Sequence, residues 1–187
     1  MTSDFIGEFK NEAIISSQGK SWLVRLPVLL WFLYVLSKYL TTPDYGCLLS
    51  ALNLGIHEFG HLIFIFFGQF LHVLGGTLFQ LFVPLFAVWS FYRQKDFFAI
   101  SFALGWFSTN LFDVARYIAD ARAQELPLVT PFGDTVIHDW NYLLDKTGLL
   151  SYDIVFSGIV KFFAVIAMLV CLVYGSWILR QMAKPKL

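Results

Sequence analysis

Charge is scarce in this chain. Of 187 residues, 13 are basic and 13 acidic, 14% in all, and the formal net charge is zero. A soluble domain carries nearer ~25%. No run of lysine or arginine is present that could follow a phosphate backbone, so nucleic acid is not an expected partner. Cysteine is scarcer still. Cys47 and Cys171 lie far apart in apolar stretches, and they make neither a C-x-x-C pair nor a disulfide framework. They read as small buried side chains. Internal repeats and low-complexity tracts are also missing.

In place of charge stands apolar mass, 58% hydrophobic and 19% aromatic residues. One small core cannot bury that much, so the expected fold class is an all-α integral membrane protein, a polytopic bundle of about five transmembrane helices. Residues 1–20 read as a polar N-terminal arm, and 21–187 as a single transmembrane domain. The first apolar stretch, Trp22 to Leu40, carries Arg25, Pro27 and Lys38 and is long enough to span at ~20 residues. An interfacial helix is its alternative. Thr41-Thr42-Pro43-Asp44 reads as a turn and not as a small-residue cleavage site, so no removable signal peptide is expected. Further spans are expected at Gly46–Gly68, Leu78–Tyr92 (with Pro84 inside), Phe97–Ile118 and Ile154–Leu179. Arg180, Lys184 and Lys186 follow the last one. Gly75-Gly76, between the second and third spans, permits a tight bend or a close backbone approach. Residues 119–150 are the one long polar connection, broken by Pro127, Pro131, Gly133 and Gly148. Lysines and arginines divide evenly between the two sides, so orientation is not set by them.

The second span holds His57-Glu58-Phe59-Gly60-His61. At helical pitch, positions i and i+4 share a face, so the two imidazoles can reach one zinc ion. Glu58 sits at the adjacent edge, where a carboxylate can take a proton from water activated at the metal. Such residues are costly inside hydrocarbon and usually face a bundle interior or wet cavity. Helix–helix hydrogen bonding is the competing role. A catalytic zinc takes three protein ligands and keeps one position open. Asp113 is the expected third ligand: the second and fourth spans run parallel, and the motif and Asp113 differ in depth by only ~5 Å. An ion pair with Arg116 is its alternative. His138-Asp139-Trp140 in the long connection is the other source of ligands, with His138 and Asp120 as alternatives to Asp113. His72 is expected to be hydrogen-bonded or interfacial. Asn110, one turn before Asp113, can orient a ligand or bind extended substrate backbone.

On His57-Glu58-Phe59-Gly60-His61 and Asn110-Leu111-Phe112-Asp113, the chain resembles the site-2-protease-like family of membrane-embedded zinc metallopeptidases. The similarity covers roughly residues 46–118. It implies a three-helix metalloprotease-like core, Zn2+ held by His57, His61 and Asp113, and Glu58 as general base. It also implies a membrane-protein or peptide substrate, met at a hairpin edge where Gly75-Gly76 falls. Phe112-Asp113-Val114 departs from the family's Leu-Asp-Gly, and no proline follows Asn110. The stretch 117–123 and His138-Asp139-Trp140 are similar to a compact bacterial subgroup, which implies a multi-pass protein of the bacterial inner membrane. Two other functions are compatible with the residues alone: a non-catalytic scaffold that holds partner helices, and an ion or proton pathway through His57, Glu58, His61 and Asp113.

Overall fold

A computed structural model describes residues 5–127 and 137–185. Pro131, Gly133 and Lys186, given roles above, lie outside them. The described chain is all-α, with seven helices: α1 (Phe5–Ser17), α2 (Leu26–Thr41), α3 (Ser50–Phe64), α4 (Gln69–Arg93), α5 (Phe97–Ala119), α6 (Asp139–Lys146) and α7 (Asp153–Met182). Short 3-10 turns, Ile65–Phe67 and Leu150–Tyr152, extend α3 and precede α7.

Four helical stretches are long and apolar enough to cross a membrane: Ser50–Phe67, Gln69–Arg93, Phe97–Ala119 and Leu150–Met182. The outward faces of α3, of the 3-10 turn that extends it and of α7 display Phe59, Phe66, Ile154, Phe162, Phe163 and Val173. Surfaces of that composition need hydrocarbon around them, as in a multi-pass membrane protein. The stretch expected to span first is shorter than read. Pro27 has no amide hydrogen to give a preceding turn and stands at the helix start, so α2 begins at Leu26 and ends at Thr41. Its 16 residues rise roughly 24 Å, less than the ~30 Å of hydrocarbon. The N-terminal arm is also more ordered than its polarity suggests: α1 buries Ala13 and Ser17.

The Gly75-Gly76 bend is not there. Both glycines lie inside α4, and the chain turns earlier at Gly68, whose φ of +83° suits only glycine. Pro84, also inside α4, is buried.

Two compact units divide the chain. The first comprises Met1–Tyr45, Pro84–Trp106 and Ile166–Leu187. Its centre is Phe32, fully buried, which fills the space that Gly105 leaves open. Ser101 Oγ donates to the Cys171 carbonyl at 2.9 Å. Phe9 of α1 packs its ring on Tyr92, Phe97 and Tyr174, and Glu12 pairs with Lys95 at 2.6 Å.

The second unit comprises Gly46–Val83 and Phe107–Val165. Here Val114, Ile118, Ala121 and Leu144 form a buried cluster on which Leu81, Trp140, Leu150, Phe156 and Val160 pack. That cluster presses α6 against α5. Ser157 Oγ and Ser108 Oγ each donate at 2.7 Å to a main-chain carbonyl across the α5–α7 contact, Ala115 and Ala164 respectively. Arg122 reaches Asp153, buried at the start of α7, at 2.8 Å. Helix α3 meets α5 through Asn53–Asp113 and then His57–Tyr117. The partners advance together, so the two helices run parallel, as the span count implies.

Candidate metal centre

Only a narrow stripe of α3 is buried: Asn53, His57 and Gly60, spaced four and three residues apart. This is the spacing at which one helical face meets its neighbour. Gly60 lets α4 come very close, since a Cβ on Gly60 would stand 2.5 Å from the Gly75 carbonyl oxygen and 2.9 Å from the Gly76 Cα. The glycine pair therefore acts through close approach.

The two histidines are oriented from behind. Nδ1 of His57 lies 3.0 Å from Gln80 Oε1, and Nδ1 of His61 lies 2.9 Å from the carbonyl oxygen of His72. Both oxygens can only accept, so each Nδ1 carries its ring's proton and each neutral ring presents a lone pair at Nε2. The two Nε2 atoms are 3.1 Å apart. Asp139 Oδ2 completes the triangle, 2.8 Å from His57 Nε2 and 3.2 Å from His61 Nε2. Three ligand atoms of this kind repel one another unless a cation lies among them or a proton is shared. A tetrahedron with bonds of about 2.0–2.1 Å has edges of about 3.3–3.4 Å, close to the edges seen here. His57, His61 and Asp139 form the one group of three metal-ligating side chains so gathered among the described residues, and it could hold a metal ion. The imidazole–imidazole–carboxylate donor set suits a borderline ion. The wall beside it is bare backbone: a Cβ on Gly76 would stand 2.6 Å from His61 Nε2 and 2.7 Å from His57 Nε2.

Asp139 reaches this point from α6, which starts where His138 ends the polar connection. His138 caps the helix: its Nδ1 accepts the Asn141 amide at 3.2 Å, and its Nε2–H donates to Asp120 Oδ2 at 3.2 Å. Asp120 also accepts the amides of Glu125 and Leu126, at 2.9 and 3.1 Å. Asn141 Nδ2 adds a bond to the Ala121 carbonyl at 2.8 Å, and the Asp139 amide donates to Tyr117 Oη at 3.0 Å. Burial opposes a charge on Asp139, but when a proton is shared among the facing Nε2 atoms, His57 and His61 prevail and hold its carboxyl below the ordinary value.

Among the residues singled out from sequence, His57 and His61 converge, and Glu58 is half-buried within electrostatic reach of both and of Asp139. Asp113 stands elsewhere, one helical turn earlier along α3. Its oxygens accept from Asn53 Nδ2 at 2.8 Å and Ser50 Oγ at 3.3 Å. Asp113 does face α3, but at the level of Asn53; the same face of α5 brings Tyr117, one turn further on, beside His57. His138 and Asp120, the alternatives, serve as cap and loop anchor behind Asp139. Asn110 is fully buried on α5, outside the group of three. His72 is hydrogen-bonded, Nδ1 to the His61 carbonyl at 2.9 Å. Two site residues carried no role in the sequence reading. Gln80 had a signal, an amide inside an apolar run; Tyr117 had none, because aromatics near span ends are common.

Compared with protein-family models, with curated proteins and with solved structures, the chain matches none.

Proposed function

We propose that the protein is an intramembrane zinc metallopeptidase that cleaves peptide bonds in or near transmembrane segments, in the manner of the site-2-protease-like family. The observation that carries this reading is the convergence of two Nε2 lone pairs and one carboxylate oxygen within 3.2 Å, with Glu58 on the same helix beside them. The core of three helices is α3, α4 and α5, and α6 supplies the third ligand. The residues present fit zinc: a nitrogen–nitrogen–oxygen set, rings held from behind in the metal-binding tautomer, and a glycine wall against which no side chain competes.

Zinc bound by His57, His61 and Asp139 would polarise a scissile carbonyl and acidify water at the position the protein leaves open. The chain's own work is done around that centre. Glu58 accepts the proton of the attacking water and returns it to the leaving nitrogen as the carbon–nitrogen bond breaks. Gln80 and the His72 carbonyl keep both imidazoles facing the substrate side. The apolar outer face of α3 places the reaction one helix from lipid, where a transmembrane substrate resides. A bacterial cell membrane is the proposed location.

The test is Glu58→Gln, purified beside wild type, with zinc content and cleavage of a reconstituted transmembrane peptide measured on both. Expected are unchanged zinc and a loss of cleavage. Equal cleavage removes the mechanism; wild type without stoichiometric zinc favours the scaffold function instead.

A further inference from the structure

Tyr117 lies at the metal centre without being a ligand. Its ring meets the His57 imidazole edge-on, centroids 6.0 Å apart, and lies on His138 at 4.3 Å. Its oxygen accepts the main-chain amide of Asp139 at 3.0 Å. A phenol has a donor as well as an acceptor, and among the described residues no acceptor lies within bonding distance of its hydroxyl proton. That is an unusual state for a half-buried hydroxyl flanked by carboxylates, since Glu58 and Asp139 are both within its electrostatic reach. The amide it accepts fixes the oxygen, and the two ring contacts fix the plane. What remains is a rigidly placed O–H whose proton has no acceptor among the described residues.

We infer that Tyr117 is a catalytic residue whose hydroxyl donates a hydrogen bond to the substrate oxygen on which negative charge develops, an inference that rests on the peptidase reading above. The step balances. Water oxygen bonds to the carbonyl carbon and the carbonyl π pair moves onto oxygen. Glu58 takes the proton from water, and Tyr117 donates to the new oxyanion without giving up its own proton. On collapse, the carbon–nitrogen bond breaks and the proton on Glu58 goes to nitrogen. Preorganised donors aimed at developing charge act most strongly where water is excluded, and one such donor contributes about 10²–10³ in kcat. The Asp139 amide, accepted by the same oxygen, polarises the phenol and makes it a better donor.

The experiment compares wild type, Tyr117→Phe and Glu58→Gln in detergent, each loaded with zinc and, in parallel, with cobalt. Phenylalanine keeps both ring contacts and removes the hydroxyl. Three quantities are read: metal stoichiometry with the cobalt absorption spectrum, affinity for a hydrophobic phosphonamidate peptide, and kcat and KM for a transmembrane peptide. The expected result for Tyr117→Phe is full metal content and an unshifted cobalt spectrum. Phosphonamidate affinity falls about tenfold, because the tetrahedral oxygens lose a donor. The value of kcat falls about 10²-fold with KM within a factor of two. A second variant with 3-fluorotyrosine at position 117 keeps the acceptor and strengthens the donor, and restores both affinity and kcat.

Unchanged phosphonamidate affinity and kcat in Tyr117→Phe overturn the role of Tyr117 and leave the peptidase reading standing. Metal loss or a shifted cobalt spectrum in that variant overturns it too, since Tyr117 would then act through the position of Asp139. Zinc-loaded wild type that fails to cleave the transmembrane peptide overturns the peptidase reading itself, and this role with it; cleavage by Glu58→Gln equal to wild type overturns the proton transfer assigned to Glu58.

Discussion

The carbonyl oxygen of His72 lies 2.9 Å from Nδ1 of His61, while Nδ1 of His72 lies 2.9 Å from the carbonyl oxygen of His61. The two residues exchange hydrogen bonds across the Gly68 turn. One bond gives a late carbonyl of α3 a donor that the ending helix cannot supply. The other fixes which nitrogen of His61 faces Asp139. Helix termination and ligand orientation are thus the same contact.

Asp139, not Asp113, completes the group of three, and the two aspartates separate cleanly by mutation. Asp139→Asn is expected to release metal from purified protein, because an amide is a weak ligand and cannot offset a divalent charge. Asp113→Asn should retain stoichiometric metal but lose roughly 1–3 kcal/mol of stability, since Asn53 and Ser50 lose a charged acceptor. Metal analysis together with thermal unfolding in detergent distinguishes them; metal loss in Asp113→Asn alone would reverse the assignment.

Gly76→Ala pits helix propensity against the site. Alanine is favoured over glycine within a helix by about 1 kcal/mol. The added methyl, however, would stand 2.6–2.7 Å from both Nε2 atoms, where the ligand atoms converge. Metal retention should fall sharply. Gly75→Ala is the control: its methyl would meet the Phe64 side chain, so it disturbs packing without entering the site. Metal content measured against unfolding temperature tells the two apart.

Gln80 holds His57 from behind, and such partners are worth about 10–100-fold in metal affinity. Gln80→Leu should weaken zinc binding by that factor in competition with a chelator. Gln80→Glu restores an acceptor, so it should recover most of the loss. Equal affinity in all three would mean that His57 is oriented by packing alone.

His138 stabilises the start of α6. Replacing it with alanine removes the cap, about 1 kcal/mol, and leaves the Asp120 anchor without its imidazole. The expected outcomes are weaker metal binding and faster proteolysis near residue 138. His138→Asn restores a good cap and should recover the protease resistance first. Limited proteolysis with and without added zinc reads both effects.

The histidine pair was legible because it is local: an i, i+4 spacing on one apolar helix needs no knowledge of the rest of the fold. So were the four long apolar spans, except that the third, read as Leu78–Tyr92, runs Gln69–Arg93. Asp139 lies in the stretch that the sequence offers as a second source of ligands, but is not singled out within it, because its position depends on how Asp120, His138 and Asn141 close the connection between α5 and α6. Those are side chain–backbone bonds with no periodic signature. Depth along parallel helices pointed to Asp113, yet counting residues into each span is too coarse by one helical turn: Asp113 falls beside Asn53, and Tyr117 on the same face of α5 falls beside His57. Gly75-Gly76 carried two meanings, bend and close approach, and only the facing Gly60 decides between them.

The contact between His57 and Asp139 joins residues 82 positions apart. A ribosome adding about 5–20 residues per second needs roughly 4–16 s to cover that interval. Late in that interval α3 and α4 are complete, and the growing chain offers the two imidazoles without the Asp139 carboxylate. The nascent protein therefore passes through a two-ligand stage in which any captured metal is weakly held. A metal ion taken up there would meet its full ligand set only on completion of α6, so maturation of such a centre would be timed by synthesis of its last ligand.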